Sequence, residues 1–297
     1  MTWNIRWDSE ADNVTIAESM AALNGNSIQT PASYYPNTNE RPWSQRRIPF
    51  VETILFQGVS IFGIQEAVVR QVNDIQTLLG SDFDHRGLAR ADGTDDNASG
   101  AVDNEFGPVY FKKSDWTLLE WDTFWLSDMP FTVGTKAPDA GNPRICTTAK
   151  FNTKAGLVTV MVTHWDDQSD AGREVGASLI RHRANYEALT TQRPVLLFGD
   201  FNSVAVDLTT PNCNSCTNGA YLIITGATPP LAINATFAAK YPVPANSPSF
   251  NMVDMKTVAP ARSISGNFAT YTGFDSLGDT SDMKRIDFIM GGSNGGW

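Results

Sequence analysis

In Val195-Leu196-Leu197-Phe198-Gly199-Asp200-Phe201-Asn202, four apolar residues run into a glycine, a carboxylate and a carboxamide. The apolar run predicts a short strand inside a sheet. Gly199 lets the backbone turn sharply or come close to a ligand. Asp200 and Asn202 then stand at the carboxyl edge of that strand, where open α/β sheets tend to keep their ligands. Gly, Asp and Asn are also ordinary turn residues, so this stretch alone leaves a solvated turn open. Four more segments repeat the pattern. Asn4 lies in the first strand-like run, Glu66 follows Val59–Ile64, His164 and Asp166 end the run 157–165, and Asp287 sits in an apolar run after Arg285. Carboxylates taken out of water are costly without a cation or a hydrogen-bond partner. Oxygen donors of this kind suit hard divalent cations. Each has a plain structural account: Glu66 as a helix-start residue, His164 as a hydrogen-bonded core residue, Asp287 as half of an ion pair. All five gathering at strand ends by coincidence is a much weaker account.

The elements that must position these residues follow from periodicity and punctuation. Met1–Arg6 alternates as a strand. Thr38–Gln57 reads as a helix, with Thr38 or Asn39 as cap, Pro42 near the first turn, and Pro49 arguing for a kink or a late start. Val59–Ile64 is a strand. Val68, Val72, Ile75 and Leu79 repeat at helical spacing, closed by Gly80. Residues 81–104 are rich in Asp, Gly and Asn and read as a loop. Phe106–Lys112 and Trp116–Trp121 read as strands, and Arg144–Phe151 with Leu157–Trp165 as a hairpin around Asn152–Gly156. Arg173–Leu189 is a helix and Ala220–Thr225 a short one, with Phe268–Tyr271 and Arg285–Met290 as the last strands. Strands and helices alternate from end to end, without repeat or linker, which predicts one domain over 1–297.

Bulk properties narrow the function classes. The 297 residues are 41% hydrophobic, and no apolar run approaches the length of a membrane span. A net charge of −10 argues against a non-specific nucleic-acid binder, whose affinity comes from basic phosphate contacts. It leaves room for an enzyme with a local cationic site. Cys213 and Cys216 have no second pair or nearby His to complete a zinc set, so they read as a loop staple or two free thiols beside Cys146. The Asn-X-Ser/Thr sequons at Asn13, Asn97 and Asn234 decide nothing, and the opening residues show no charged-then-apolar leader. The sequence assigns no compartment.

Taken in order, Thr-Trp-Asn-Ile-Arg (2–6), Gly-Ile-Gln-Glu (63–66), Asn-Glu-Phe-Gly-Pro-Val-Tyr-Phe (104–111), Thr-Phe-Trp-Leu-Ser (123–127), Pro-Arg-Ile (143–145), Thr-His-Trp-Asp (163–166), Gly-Asp-Phe-Asn (199–202) and Arg-Ile-Asp-Phe-Ile (285–289) form a series. It resembles the endonuclease/exonuclease/phosphatase superfamily, the fold of deoxyribonuclease I and the apurinic endonucleases, and is nearest to hydrolase-type members of fungi and bacteria. The resemblance covers nearly the whole chain. It implies an α+β, four-layer α/β sandwich: two packed mixed β-sheets flanked by helices. It also implies hydrolysis of a phosphate ester, monoester or diester, with Mg²⁺ as cofactor and Mn²⁺ able to substitute. Carried over by position, Glu66 is the principal metal ligand and Asn4 supports the metal site. Asp200 orients or deprotonates the attacking water and Asn202 holds the phosphate. His164 binds a phosphate oxygen or assists the leaving group. Glu105, Tyr110 and Arg144 line the cleft. The implied partner is a phosphate-ester substrate, nucleic acid or small molecule, with no membrane and no protein partner. The acidic balance leans away from long nucleic acid.

The series departs from the family at its end. The family carries a further Ser-Asp-His motif on a last strand, whose His pairs with the Asp of Arg-Ile-Asp. The histidines here are His85, His164 and His182, none after Asp287. Asp287 is therefore expected to lack that partner, and losing a positioned acid–base group costs about 10²–10⁴ in rate. The expectation is a chain truncated at its C-terminus, and at its N-terminus too. The alternative function is a catalytically inactive phosphate-ligand binding module, or an incomplete fragment.

Overall fold

Strands rich in branched and aromatic residues assemble here into two sheets, each covered on one face by helices and on the other by its partner sheet. The structure, a computed structural model, describes residues 1–23, 41–101, 103–205, 217–264, 269–273 and 279–292. The first half comprises β1 (Thr2–Asn4), α1 (Ile16–Ala22), α2 (Trp43–Phe56), β2 (Ile61–Gln65), α3 (Val69–Leu79), β3 (Phe83–Arg86), β4 (Val109–Lys112) and β5 (Trp116–Trp125). The second comprises β6 (Ile145–Thr153), β7 (Gly156–His164), α4 (Asp170–Thr191), β8 (Val195–Asp200), α5 (Gly219–Thr225), α6 (Ala235–Lys240), β9 (Val253–Asp254), α7 (Met255–Val258) and β10 (Asp287–Gly292).

One sheet has the order β1-β2-β4-β3 and the other β5-β6-β7-β8-β10-β9. Both are mixed: β1 and β2 are parallel, as are β7 and β8, and the remaining pairs are antiparallel. Three apolar clusters make the layers. Ile61, Val109 and Phe111 of the first sheet meet Phe151, Val160, Val162 and Phe198 of the second. Phe62, Ile64 and Tyr110 face the other way, onto Phe50, Ile54, Val72 and Ile75 of α2 and α3. Met161, Leu197 and Phe288 are covered by Leu179, Ile180 and Ala184 of α4 and Ile223 of α5. Burial on both faces is why the central strands read as unbroken apolar runs. The arrangement is the two-sheet sandwich with flanking helices that the motif series implies. The sheets meet closely at Gly63, where an added Cβ would lie 2.8 Å from both γ-methyls of Val162.

Several local expectations change. The segment 81–104 contains β3, paired with β4; only Phe83 of its four residues is buried, so an edge strand hid in a polar run. β5 continues past the expected end at Trp121 to Trp125, with a register shift between Leu118 and Glu120. Helix α2 starts at Trp43 and runs through Pro49, because Trp43, Arg47, Phe50, Val51 and Ile54, spaced along one helical face, are all buried. Asp8 accepts the Trp43 N–H at 3.2 Å, a side-chain substitute for the missing cap. Tyr271 makes an isolated bridge with Lys284 rather than a strand. Thr38, Asn39, Phe268, Cys213 and Cys216 lie outside the described residues. Among the described residues no helix is long and apolar enough to cross a membrane.

Candidate active site

Four strands end in one place. Asn4 is the last residue of β1, Glu66 follows β2, His164 ends β7 and Asp200 ends β8. Asp287 opens the antiparallel β10 directly opposite Asp200. These residues, with Asn202, Glu105 and Arg144, line a cleft of about 500 Å³ between the ends of the two sheets. Of the nine residues singled out from sequence, eight are brought together here.

Tyr110 is the exception. Its side chain is fully buried on the helix-facing side of β4, stacked on Phe62 and His85, and its hydroxyl donates to the Val72 carbonyl at 3.1 Å. Strand alternation sends it away from the cleft, because its neighbours Val109 and Phe111 take the inter-sheet positions.

At the cleft, one amide reaches across from the first sheet to the second. Asn4 Nδ2 donates to Glu66 Oε1 at 2.7 Å and to Asp200 Oδ2 at 3.0 Å. Its Oδ1 accepts the backbone N–H of Arg6 at 2.9 Å, which fixes which end of the amide faces the carboxylates. Glu66 Oε2 accepts the Trp7 N–H at 3.3 Å and lies 3.6 Å from Arg6 Nη1. Arg6, Glu66 and Asn202 have φ of 57°, 63° and 44°. Non-glycine residues held at positive φ are costly and gather where surrounding structure forces a side chain into position. Each follows a strand end, and together they turn three polar side chains into one cleft.

The second sheet supplies a denser network. Asp200 Oδ1 accepts the Asn202 N–H at 2.9 Å, and Asn202 Nδ2 reaches His164 Nε2 at 3.1 Å and the Trp165 carbonyl at 3.0 Å. Arg144 Nη1 is 3.0 Å from His164 Nδ1, while its other nitrogens face Asp167 at 2.7 Å and Asp166 at 3.5 Å. Both close neighbours of the imidazole are donors, and a neutral ring has one lone pair to offer. Its remaining N–H therefore needs an acceptor. Glu105 lies 3.6 Å from Nδ1 and Asp200 3.9 Å from Nε2, both longer than good hydrogen bonds. Burial alone would push the Glu105 carboxyl up. The His164 contact and the charges of Arg90 and Arg144 outweigh burial and bring it down to about 2. Burial likewise opposes ionisation of Asp166, and Arg144 with the N–H groups of Ser169, Gln168 and Gly141 overcomes it.

Asp287 has the opposite balance. Arg285, two residues before it, forks onto Asp254 at 2.5 and 2.7 Å. Asp287 Oδ1 is buried without a hydrogen-bond partner among the described residues. Burial first, then the charge of Asp200 across the strand pair, push its carboxyl well above the usual range. The folded state thus holds this proton at pH values where the unfolded chain has lost it, so stability falls as pH rises above about 4. Asp287→Asn is expected to raise the melting temperature at pH 8 and leave it nearly unchanged below pH 4. Scans across that range check it, and an equal shift at both ends would refute it.

The residues present are of the chemical type that suits a hard divalent cation. The converging donors are the carboxylates of Glu66, Asp200 and Asp287, with an orphaned buried oxygen on Asp287. All are hard oxygen donors. No group of three His, Cys, Asp or Glu closes into a cage among the described residues. Mg²⁺ commonly takes one or two carboxylates and completes its octahedron with water and phosphate oxygens.

Arg6, Trp7, Asn142, Asp167, Tyr271 and Lys284 also line the cleft and were missed from sequence. Arg6 stood inside the motif at 2–6, and a cation next to the Asn4 position was the available signal. Tyr271 and Lys284 come together through a bridge that no local pattern announces.

No protein-family model and no curated protein matches this sequence. Solved structures do match by fold. An endonuclease/exonuclease/phosphatase from Bacteroides vulgatus superposes with TM-score 0.64 at 24% identity, over 98% of this chain and 85% of that one. A mannosyl-6-phosphatase from Bacteroides thetaiotaomicron does so with TM-score 0.59 at 21% identity, over 98% and 83%. ANGEL2, a 2′,3′-cyclic phosphatase, gives TM-score 0.54 at 12% identity, over 99% and 82%. Nearly the whole chain is thus structurally similar to endonuclease/exonuclease/phosphatase proteins. Likeness at this identity establishes the fold, and the chemistry rests on the side chains.

Proposed function

We propose that this chain is a Mg²⁺-dependent phosphoesterase that hydrolyses a phosphodiester or phosphomonoester by in-line attack of water. The observation that carries the reading is the Asn4 amide, which holds Glu66 at 2.7 Å and Asp200 at 3.0 Å and so sets two carboxylates around one point from two sheets. When bound at Glu66, the cation supplies charge neutralisation at the phosphoryl oxygens and the leaving oxygen. Asp200 orients the attacking water and takes its proton. Asn202 and His164 hold the phosphate oxygens, Asn202 by exchanging its contact with His164 for one with the ligand, while Arg144 and Glu105 flank the imidazole. Asp287 lies directly across the strand pair from Asp200 and completes that side of the site.

Small phosphate esters are the candidate substrates, a reading supported by a mannosyl-6-phosphatase and a 2′,3′-cyclic phosphatase among the proteins of similar fold. The net charge of −10 and a cleft of about 500 Å³ favour a small ligand over long nucleic acid. The Asp287 oxygen that has no hydrogen-bond partner among the described residues favours the second reading, a phosphate-binding module without turnover.

Hydrolysis of p-nitrophenyl phosphate and of bis-p-nitrophenyl phosphate, with Mg²⁺, Mn²⁺ or chelator, separates the readings. Chelator-sensitive release supports the enzyme, and phosphate binding without release supports the module. Mg²⁺ at about 100-fold its dissociation constant is expected to stabilise the chain by about 2.7 kcal/mol. Glu66→Gln should abolish that stabilisation, and a thermal shift that persists in the variant sinks the assignment of Glu66.

A further inference from the structure

A second cavity, of about 460 Å³, adjoins the cleft, and the two share Asn4, Thr270 and Asp287 as lining residues. Its chemistry differs. Trp3, Met255, Ala259, Ile264 and Ile289 give it a mainly apolar wall. The space follows from the topology: β1 is the outermost strand of its sheet, whereas β10 lies inside the other, between β8 and β9. A slot therefore opens between β1 and β10, and α7 with its C-cap walls it through Met255 and Ala259. Trp3 leans on Phe50, with ring centroids 5.0 Å apart, and is exposed, as is Ile264. Apolar side chains gathered on one concave wall mark a binding surface, where the same residues scattered singly would not. Neither bordering cation is free: Arg285 forks onto Asp254, and Lys256 is likewise engaged. The boundary with the first cavity is fixed. Thr270 Oγ1 accepts the N–H groups of Ile286 and Asp287 at 3.1 and 3.0 Å, and the Asn4 amide is held by Glu66 and Asp200.

We propose that the second cavity holds the organic part of the substrate, so that the chain prefers phosphate esters of apolar alcohols, alkyl or aryl, over esters of small polyols. The inference rests on the phosphoesterase reading. His164, Asn202 and Arg144, which hold the phosphate or flank its site, line the first cavity and not the second. The organic group of a phosphate bound there runs past Asn4 and Asp287 onto the apolar wall. A polyol in that place would turn its hydroxyls toward Met255, Ile264 and Ile289, which offer no side-chain hydrogen-bond partner. An alkyl or aryl group instead loses apolar surface to the wall, and each buried methylene adds to affinity. Trp3, Met255, Ile264 and Ile289 are thus specificity-determining residues that touch the substrate away from the phosphorus.

Calorimetric titration of the full chain in Mg²⁺ with methyl-, propyl- and pentylphosphonate, whose carbon–phosphorus bond does not hydrolyse, tests this without turnover. Affinity is expected to rise roughly fourfold per added methylene. A terminal hydroxyl on the propyl chain should cancel most of that gain. Ile264→Asp and Met255→Asp each set a carboxylate on the apolar wall, and each should bring the pentyl-to-methyl affinity ratio down toward one. Equal affinity for the three phosphonates in the parent chain overturns the inference and leaves the cavity to a protein segment. A length preference that both variants retain also overturns it, because the alkyl chain then lies elsewhere. A failure of the phosphoesterase reading looks different: no phosphonate of any length binds, with Mg²⁺ or without, and both readings fall.

Discussion

Asp200→Asn should lower turnover of a phosphate ester by about 10²–10⁴-fold, the usual cost of losing a positioned proton acceptor. Its carboxylate is buried at the end of β8, and each oxygen already has a donor: Asn202 N–H on Oδ1 and Asn4 Nδ2 on Oδ2. Those donors fix its orientation and leave its remaining lone pairs for a water. Asn preserves the volume and one acceptor, but its NH₂ cannot take a proton and meets a donor already in place. The fold is expected to survive, because the β8–β10 register continues from Gly199–Phe288 to Val195–Gly292 without it. The measurement is kcat at saturating Mg²⁺ alongside the melting curve. A tenfold loss or less would move the water-activating role elsewhere, with His164 the next group to test.

Arg183→Met should cost about 3–5 kcal/mol, because it leaves buried carboxylates without their cation. Arg183 of α4 is 4% exposed; its Nε meets Glu187 Oε1 at 2.8 Å and its Nη1 meets Asp122 Oδ2 at 2.9 Å. The guanidinium also lies 3.9 Å from the Tyr241 ring. Glu187 is fully buried and, among the described residues, retains only Lys150 at 3.2 Å as a charged partner once the arginine is gone. Met fills much of the space but supplies no donor. Urea melts should show the loss, while activity per folded molecule at low temperature stays near the parent value, since this network covers the outer face of the second sheet. Arg183→Met combined with Glu187→Leu should recover much of the loss, because removing both members leaves no buried charge unpaired. A loss below about 1 kcal/mol in the single variant would show that water, rather than the arginine, satisfies Glu187.

The strands that carry the site were legible because burial on both faces makes them apolar throughout and their polar ends abrupt. Val195–Asp200 and Ile61–Gln65 are nearly the runs read from sequence. Asn4, Glu66, His164 and Asp200 stood out for the same reason, each being a polar residue at the end of an apolar run, and Asp287 stood out as a carboxylate bordering one. Edge and irregular parts were not legible. β3 has one buried residue to announce it, and its pairing with β4 depends on contacts more than twenty residues away. Tyr110 was assigned to the cleft because its motif lay beside Glu105. Which face of β4 points to the helices is set by the packing of the two sheets, and a run apolar on both faces conceals it. Arg6 and Lys284 depend on a left-handed turn and a loop bridge, neither of which has a sequence period.

The Asn4 amide that spans the sheets has one more consequence. Glu66 and Asn4 belong to one sheet, while Asp200 and His164 belong to the other. Between the layers lie mainly apolar contacts, which resist separation but oppose lateral slippage only through the shape of their side chains. A slip of about 1 Å would break the directional bond from Asn4 to Asp200 while leaving most of that apolar area covered. The chain therefore carries its own gauge of interlayer alignment, and catalysis should fail under mild denaturant or pressure before either sheet melts.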